Sequence, residues 1–189
     1  MRWARRTRTR DESLKILVVC EGAETEPNYF KAFPVSSLTV KGEGKNTVSL
    51  VKECIRLKKK GRYDHVWAVF DRDEFSREDF NEAIRLANDN GISVAYSNTC
   101  FELWYALHFD FITTGLHRDD FPSRLTRKLG RHYLKNDRAI YSSLEHLQST
   151  AIKNSKNLLA TYSPPDPASD DPSTTVHLLV ELLNSVRRP

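Results

Sequence analysis

Two stretches decide the fold: Lys15-Ile16-Leu17-Val18-Val19-Cys20-Glu21-Gly22 and His65-Val66-Trp67-Ala68-Val69-Phe70-Asp71-Arg72-Asp73-Glu74. Each is a continuous apolar run that ends in acid. Such a run reads as a strand buried on both faces, as in a parallel sheet. In open parallel sheets, chemistry gathers at the carboxyl ends of the strands. Glu21, Asp71 and Asp73 would all emerge at that edge, the latter two on one side of the chain because strand side chains alternate. Carboxylates converging there repel one another unless a cation lies between them. Hard divalent cations such as Mg²⁺ or Mn²⁺ favour such oxygen ligands. The pattern points to a metal-dependent reaction on phosphate esters.

Between and beyond these strands the sequence alternates in type. Thr25, with Pro27 in a first turn, opens a short helix over Glu26–Phe33. Val35–Val40 reads as a second strand. Thr47 caps a helix that runs to Lys60, with Gly61 just past its end. Its basic last turn, Lys58-Lys59-Lys60, complements the helix dipole. Ser76 and Asp79 open a helix with Phe80, Ala83, Ile84 and Ala87 on one face. Gly91 ends it, and Ile92–Tyr96 is a fourth strand. This alternation predicts an α/β fold: a mostly parallel four-stranded sheet flanked by helices. The remainder is helical, over 121–130, 141–162 and 173–186, with Ser173 or Thr174 capping the last helix. A Pro/Asp-rich segment, 163–172, is predicted to be a loop. The domain plan is a basic arm (1–12), an α/β domain (13–110) and a helical C-terminal extension (111–189) packed on that same domain.

Composition narrows the class. The 189 residues, 39% hydrophobic and 29% charged, suit a folded globule rather than a disordered chain. The run Ile16–Cys20 is far short of the ~20 residues that span a bilayer and too short for a secretory core, so a cytoplasmic protein without membrane contact is expected. The three cysteines are widely spaced in apolar contexts and read as buried hydrophobes. The six histidines form no close pair and read as structural or solvated. No nucleophile elbow or phosphate-binding Gly-Lys-Ser/Thr loop is present, which argues against an ATPase. Phe101, Trp104, Tyr105 and Phe109 can stack bases, but their apolar context favours core packing. Net charge is +4, with Arg2, Arg5, Arg6, Arg8 and Arg10 crowded in the arm and a further cluster at Arg124, Arg127, Lys128, Arg131 and Lys135. A basic arm beside a folded domain suits nucleic-acid backbone; a solvated tail is the equal alternative.

Strand–Glu21–Gly22 followed by strand–Asp71-Arg72-Asp73 resembles the TOPRIM domain of topoisomerases, primases and OLD-type nucleases, over about residues 15–105. Within that group the chain most resembles the RloB family of bacterial defence-associated proteins. The matching stretches are Val19-Cys20-Glu21-Gly22, Thr25-Glu26-Pro27-Asn28-Tyr29-Phe30, Val69-Phe70-Asp71-Arg72-Asp73, Ser97-Asn98-Thr99-Cys100-Phe101-Glu102-Leu103-Trp104 and Pro172-Ser173-Thr174-Thr175-Val176-His177. Thr99 departs from the resemblance, which leads one to expect proline there. The resemblance implies a TOPRIM-like fold, a Mg²⁺ (or Mn²⁺) site with Glu21, Asp71 and Asp73 as ligands, and nuclease activity on RNA such as tRNA, or on DNA, in anti-phage defence. It implies an SMC/ABC-like ATPase partner encoded nearby and leaves a homo-oligomer open. Glu102 is a further candidate acid by the same likeness; its alternative role is to favour a helix N-terminus. Glu26 can add a ligand or serve as ordinary N-terminal helix charge. Lys135 or Arg72 can assist at the phosphate, although a solvated lysine is the ordinary case. The competing function is a non-catalytic TOPRIM-like module that docks on a defence ATPase as sensor. Primer synthesis or strand transfer would need further domains, for which 189 residues leave no room.

Overall fold

The computed structural model describes residues 14–72 and 75–187. The basic arm and Asp73 therefore lie outside the described residues. The expected four parallel-type strands are present as β1 (Ile16–Cys20), β2 (Leu38–Gly42), β3 (His65–Asp71) and β4 (Ser93–Asn98). They pair in parallel in the order β2-β1-β3-β4. A fifth, β5 (Ser173–Thr174), adds antiparallel to β4. Thus the sheet has five strands rather than four, and Ser173 and Thr174 are sheet residues rather than helix caps. β2 also falls later than the expected Val35–Val40.

Alternation along the strands splits the core into two layers. Ile16, Val18, Cys20, Trp67 and Val69 face one side, and Leu17, Val19, Val66, Ala68 and Phe70 the other. The second side is covered by α2 (Thr47–Lys60) and α3 (Arg77–Asp89), through Leu50, Val51, Cys54 and Leu57 of the former and Phe80, Ala83 and Ala87 of the latter. The first side carries α1 (Thr25–Lys31), α4 (Glu102–Leu107), α5 (Asp120–Leu129), α6 (Ile140–Leu144), α7 (Gln148–Leu159) and α8 (Val176–Ser185). Their core is one continuous cluster from Ile16 to Leu183, with Trp104, Tyr105 and Phe101 fully buried in it. These aromatics are therefore packing residues, unavailable to stack bases. The expected single helix over 141–162 is broken by a 3₁₀ turn at Glu145–Leu147.

Several ends are set by specific contacts. Asn46, not Thr47, caps α2, accepting from the Ser49 amide at 3.2 Å. The last turn of α2 has a further use. Lys58 Nζ donates to the Asn90 and Gly91 carbonyls at 2.8 and 2.7 Å, satisfying the end of α3. Ser76 caps α3, its Oγ accepting from the Asp79 amide at 3.0 Å. Ser76→Ala should cost about 1 kcal/mol, lowering the melting midpoint by roughly 2–4 °C in a chain of this size with no loss at the site. Differential scanning calorimetry checks it.

All three cysteines are buried free thiols; burial pushes Cys54 up to about 12 and raises Cys20 and Cys100 as well. Burial holds the buried His108 down to about 4 and also lowers His177, whose Nδ1 pairs with Ser155 Oγ at 2.8 Å. Both are neutral structural groups at neutral pH. Among the described residues no helix is long and apolar enough to cross a membrane.

Candidate functional site

Parallel pairing carries β1, β3 and β4 to the same edge. Glu21 follows β1, Asp71 closes β3, and α4 begins at Glu102 just after β4. The turn after β1 runs into α1, whose first turn holds Glu26. These acids line one cavity of about 350 Å³, together with Lys135 and Arg118. Glu21, Glu26, Asp71, Glu102 and Lys135, all singled out by sequence, therefore meet at one place. Arg118 was not anticipated: an arginine in a long loop carries no local signal of where it points.

Each acid is held by a defined contact. The Asp71 amide donates to Glu21 Oε2 at 3.2 Å, so the exit of β3 orients the carboxylate of β1. Asp71 Oδ2 accepts from the Phe101 amide at 3.1 Å. Asp71 Oδ1 is out of solvent contact and has no hydrogen-bond partner among the described residues. Glu26, 5% exposed, folds back on Gly22, whose amide donates to Oε1 at 3.4 Å. A Cβ at Gly22 would stand 2.2 Å from Glu26 Oε2, so only glycine lets this carboxylate lie against the turn. Glu102, 4% exposed, accepts from the buried Tyr133 hydroxyl at 3.1 Å and has Lys135 Nζ at 3.8 Å. The connection bearing Tyr133 and Lys135 is fixed over the site by Asn28 Nδ2, which donates to the Asn136 carbonyl at 3.2 Å. The remaining cations of that basic cluster are partly committed. Arg124 and Lys128 both bind Asp110, at 2.7 Å each, and Arg131 binds Asp137 at 2.6 Å.

Electrostatics follow from this crowding. Burial, then the charges of Glu26, Glu102 and Glu21, push the Asp71 carboxyl well above the usual range. Burial and Glu102 also raise Glu26, against the lowering effect of the Gly22 amide and Lys135. A buried oxygen with no partner costs about 1–3 kcal/mol, and neighbouring buried carboxylates add repulsion whenever more than one is ionised. A site that keeps such costs in place is built for a positive guest. The donor set consists of hard oxygens, which fits Mg²⁺ or Mn²⁺. Among the described residues, no three His, Cys, Asp or Glu side chains are gathered closely enough to form a preassembled metal cage. That too is compatible with Mg²⁺, which keeps several waters and binds through one or two carboxylates plus substrate phosphate.

Arg72 departs from its expected role. Its Nε donates to the Ala168 carbonyl at 3.1 Å and an Nη to the Phe75 carbonyl, so its guanidinium is spent on backbone rather than offered to a phosphate. Thr25 lines the cavity but makes no capping bond; Glu24 stands at the cap position of α1. The Asn98–Thr99 peptide is cis, and Thr99 Oγ1 donates to the Leu116 carbonyl at 3.4 Å.

No curated protein and no solved structure matches the chain significantly. The family model described as RloB-like protein matches residues 16–183. That span takes in the strand ends, the cavity acids and most of the final helix, and on it the chain belongs to the RloB-like protein family.

Proposed function

We propose that this protein is a Mg²⁺- or Mn²⁺-dependent nuclease that hydrolyses phosphodiesters of RNA, such as tRNA, or of DNA. The observation that carries the reading is the convergence of Glu21, Glu26, Asp71 and Glu102 on one cavity, with Asp71 Oδ1 buried and without a hydrogen-bond partner among the described residues. When bound, the cation would neutralise charge building on the phosphate oxygens and lower the pKa of water. The chain's own groups do the rest. Asp71 and Glu21 offer oxygens from adjacent strands, and Asp73, outside the described residues, is proposed as a further ligand. Glu26, its carboxyl raised by burial and by Glu102, is proposed as a further ligand. Lys135, beside Glu102, is placed to meet a phosphate oxygen. Lys135→Ala should lower kcat/KM roughly 10-fold, less than the ~10²–10³ of a fully buried electrostatic donor, because its side chain is 59% exposed. Steady-state cleavage of a labelled oligonucleotide measures it.

A role in anti-phage defence and an SMC/ABC-like ATPase partner are proposed on the family likeness alone, and a cytoplasmic setting on the composition of the chain. The competing reading is a non-catalytic sensor that docks on that ATPase. Induced expression followed by sequencing of cellular RNA and DNA tests both. Wild type should leave discrete new ends that an Asp71→Ala/Asp73→Ala double variant does not. Identical end profiles from the two would favour the sensor.

A further inference from the structure

We propose that Arg72 is a positioning residue for Asp71, and that it acts by clamping the chain just beyond β3 to the Pro/Asp loop 163–172. The inference rests on reading Asp71 as a ligand of the cavity. Arg72 is the next residue along, and its amide still pairs with β4, donating to the Ser97 carbonyl at 2.8 Å. Its guanidinium then reaches two carbonyls at once. One belongs to Phe75, which lines the cavity. The other belongs to Ala168, ninety-six residues further along the chain, at 3.1 Å. Asn98, at the matching end of β4, makes a parallel clamp: its Nδ2 donates to the Asp170 carbonyl at 2.9 Å and the Pro167 carbonyl at 3.4 Å.

The loop is braced to receive these bonds. Asp170 Oδ2 accepts from the Asp166 amide at 2.8 Å, Ser169 Oγ donates to Asp166 Oδ2 at 2.7 Å, and Tyr162 Oη donates to the Pro172 carbonyl at 2.9 Å. It leads straight into β5, where Ser97 and Thr174 hydroxyls meet at 3.1 Å. Asp171 packs against Gly115 so closely that a Cβ there would lie 2.7 Å from Oδ2. The same inter-helix stretch supplies Arg118 to the cavity. Asp71 thus stands between two neighbours in sequence and register, Arg72 and the Ser97–Asn98 pair, both anchored on one braced loop. Arg72 reaches its two carbonyls from two different nitrogens, Nε and an Nη, in a fixed planar fork; a lysine would have to reach both from one ammonium. Groups that orient ligands from behind are typically worth about 10–100-fold in metal affinity.

The test compares Arg72→Ala, Arg72→Lys and Asn98→Ala with wild type by amide hydrogen exchange and by Mn²⁺ titration followed by electron paramagnetic resonance. The Phe101 amide, whose acceptor is Asp71 Oδ2, reports the carboxylate's position without any metal. In Arg72→Ala and Asn98→Ala it should exchange several-fold faster while amides within α2 keep their protection. Mn²⁺ affinity should fall roughly 10–100-fold, and Arg72→Lys should restore little of either. Wild-type protection of Phe101 in a folded Arg72→Ala protein would overturn the inference. So would a variant that exchanges normally and only raises KM with a weaker salt dependence, the behaviour of a phosphate contact. Should Arg72→Ala fail to fold, Asn98→Ala decides by the same amide. If wild type itself binds no Mn²⁺, the metal reading fails, and the Phe101 exchange still decides the clamp.

Discussion

Asp71→Ala should abolish metal-dependent cleavage, with kcat/KM falling by at least about 10²–10³-fold, the range seen when one preorganised electrostatic group is removed. Asp71 is expected to be the most sensitive position because it links the others. Its amide orients Glu21, its Oδ2 is held by the Phe101 amide, and its Oδ1 is the one buried carboxylate oxygen at the site with no hydrogen-bond partner among the described residues. Alanine keeps the backbone contact to Glu21 and removes only the carboxylate. A melting curve and circular dichroism spectrum like those of wild type would show that the loss is chemical. Cleavage by a folded Asp71→Ala protein at the wild-type rate would rule out this assignment of the site.

The same residue should behave in the opposite sense in a stability measurement. With no cation present, Asp71→Asn and Glu26→Gln should each make the protein more stable at neutral pH, with every ~1 kcal/mol of relieved repulsion raising the midpoint by roughly 2–4 °C. At position 71 the amide oxygen can keep the Phe101 bond while its NH₂ group takes the place of the bare Oδ1 and faces acids instead of repelling them. The pH dependence follows from the direction of the shifts. Both carboxyls are raised in the folded protein, by burial and by their neighbours. The folded state therefore holds protons more tightly than the unfolded chain, whose carboxyls titrate near 4. Their stabilising contribution is complete below that pH and is lost as pH climbs through the raised folded values. The metal-free wild type should thus weaken from mildly acidic toward neutral pH, and both variants should flatten that slope. Mg²⁺ should raise the wild-type midpoint by mass action and leave that of Asp71→Asn nearly unmoved. Scanning calorimetry across pH, with and without Mg²⁺, measures all of these. An Asp71→Asn protein less stable than wild type without metal would show that the acids are not in conflict.

Much of this site can be read from local pattern. Apolar runs without alternation mark β1 and β3, and an acid at the end of each marks the working edge. Glu26 and Glu102 sit where helices begin, a place that explains an acid without any site; only their burial against Gly22 and Tyr133 separates the two roles. What escaped sequence reading depends on distant partners. β5 is two residues long and exists through its pairing with β4, so Ser173 and Thr174 look locally like helix caps. Arg72 looks like a cation poised for phosphate because the carbonyl that occupies it, Ala168, comes from a loop 96 positions away. Arg118 reaches the cavity from a stretch with no periodicity. Asn46 displaced Thr47 as cap because both are good capping residues and only backbone direction chooses between them.

Anomalous diffraction from a crystal of the protein grown or soaked with millimolar Mn²⁺ tests the central claim most directly. The account predicts a strong anomalous peak within the cavity bounded by Glu21, Asp71 and Glu102, with an Asp71 oxygen among the ligands, and no such peak in Asp71→Ala crystals treated alike. An empty cavity in wild-type crystals, with Mn²⁺ either absent or bound only elsewhere, would contradict it.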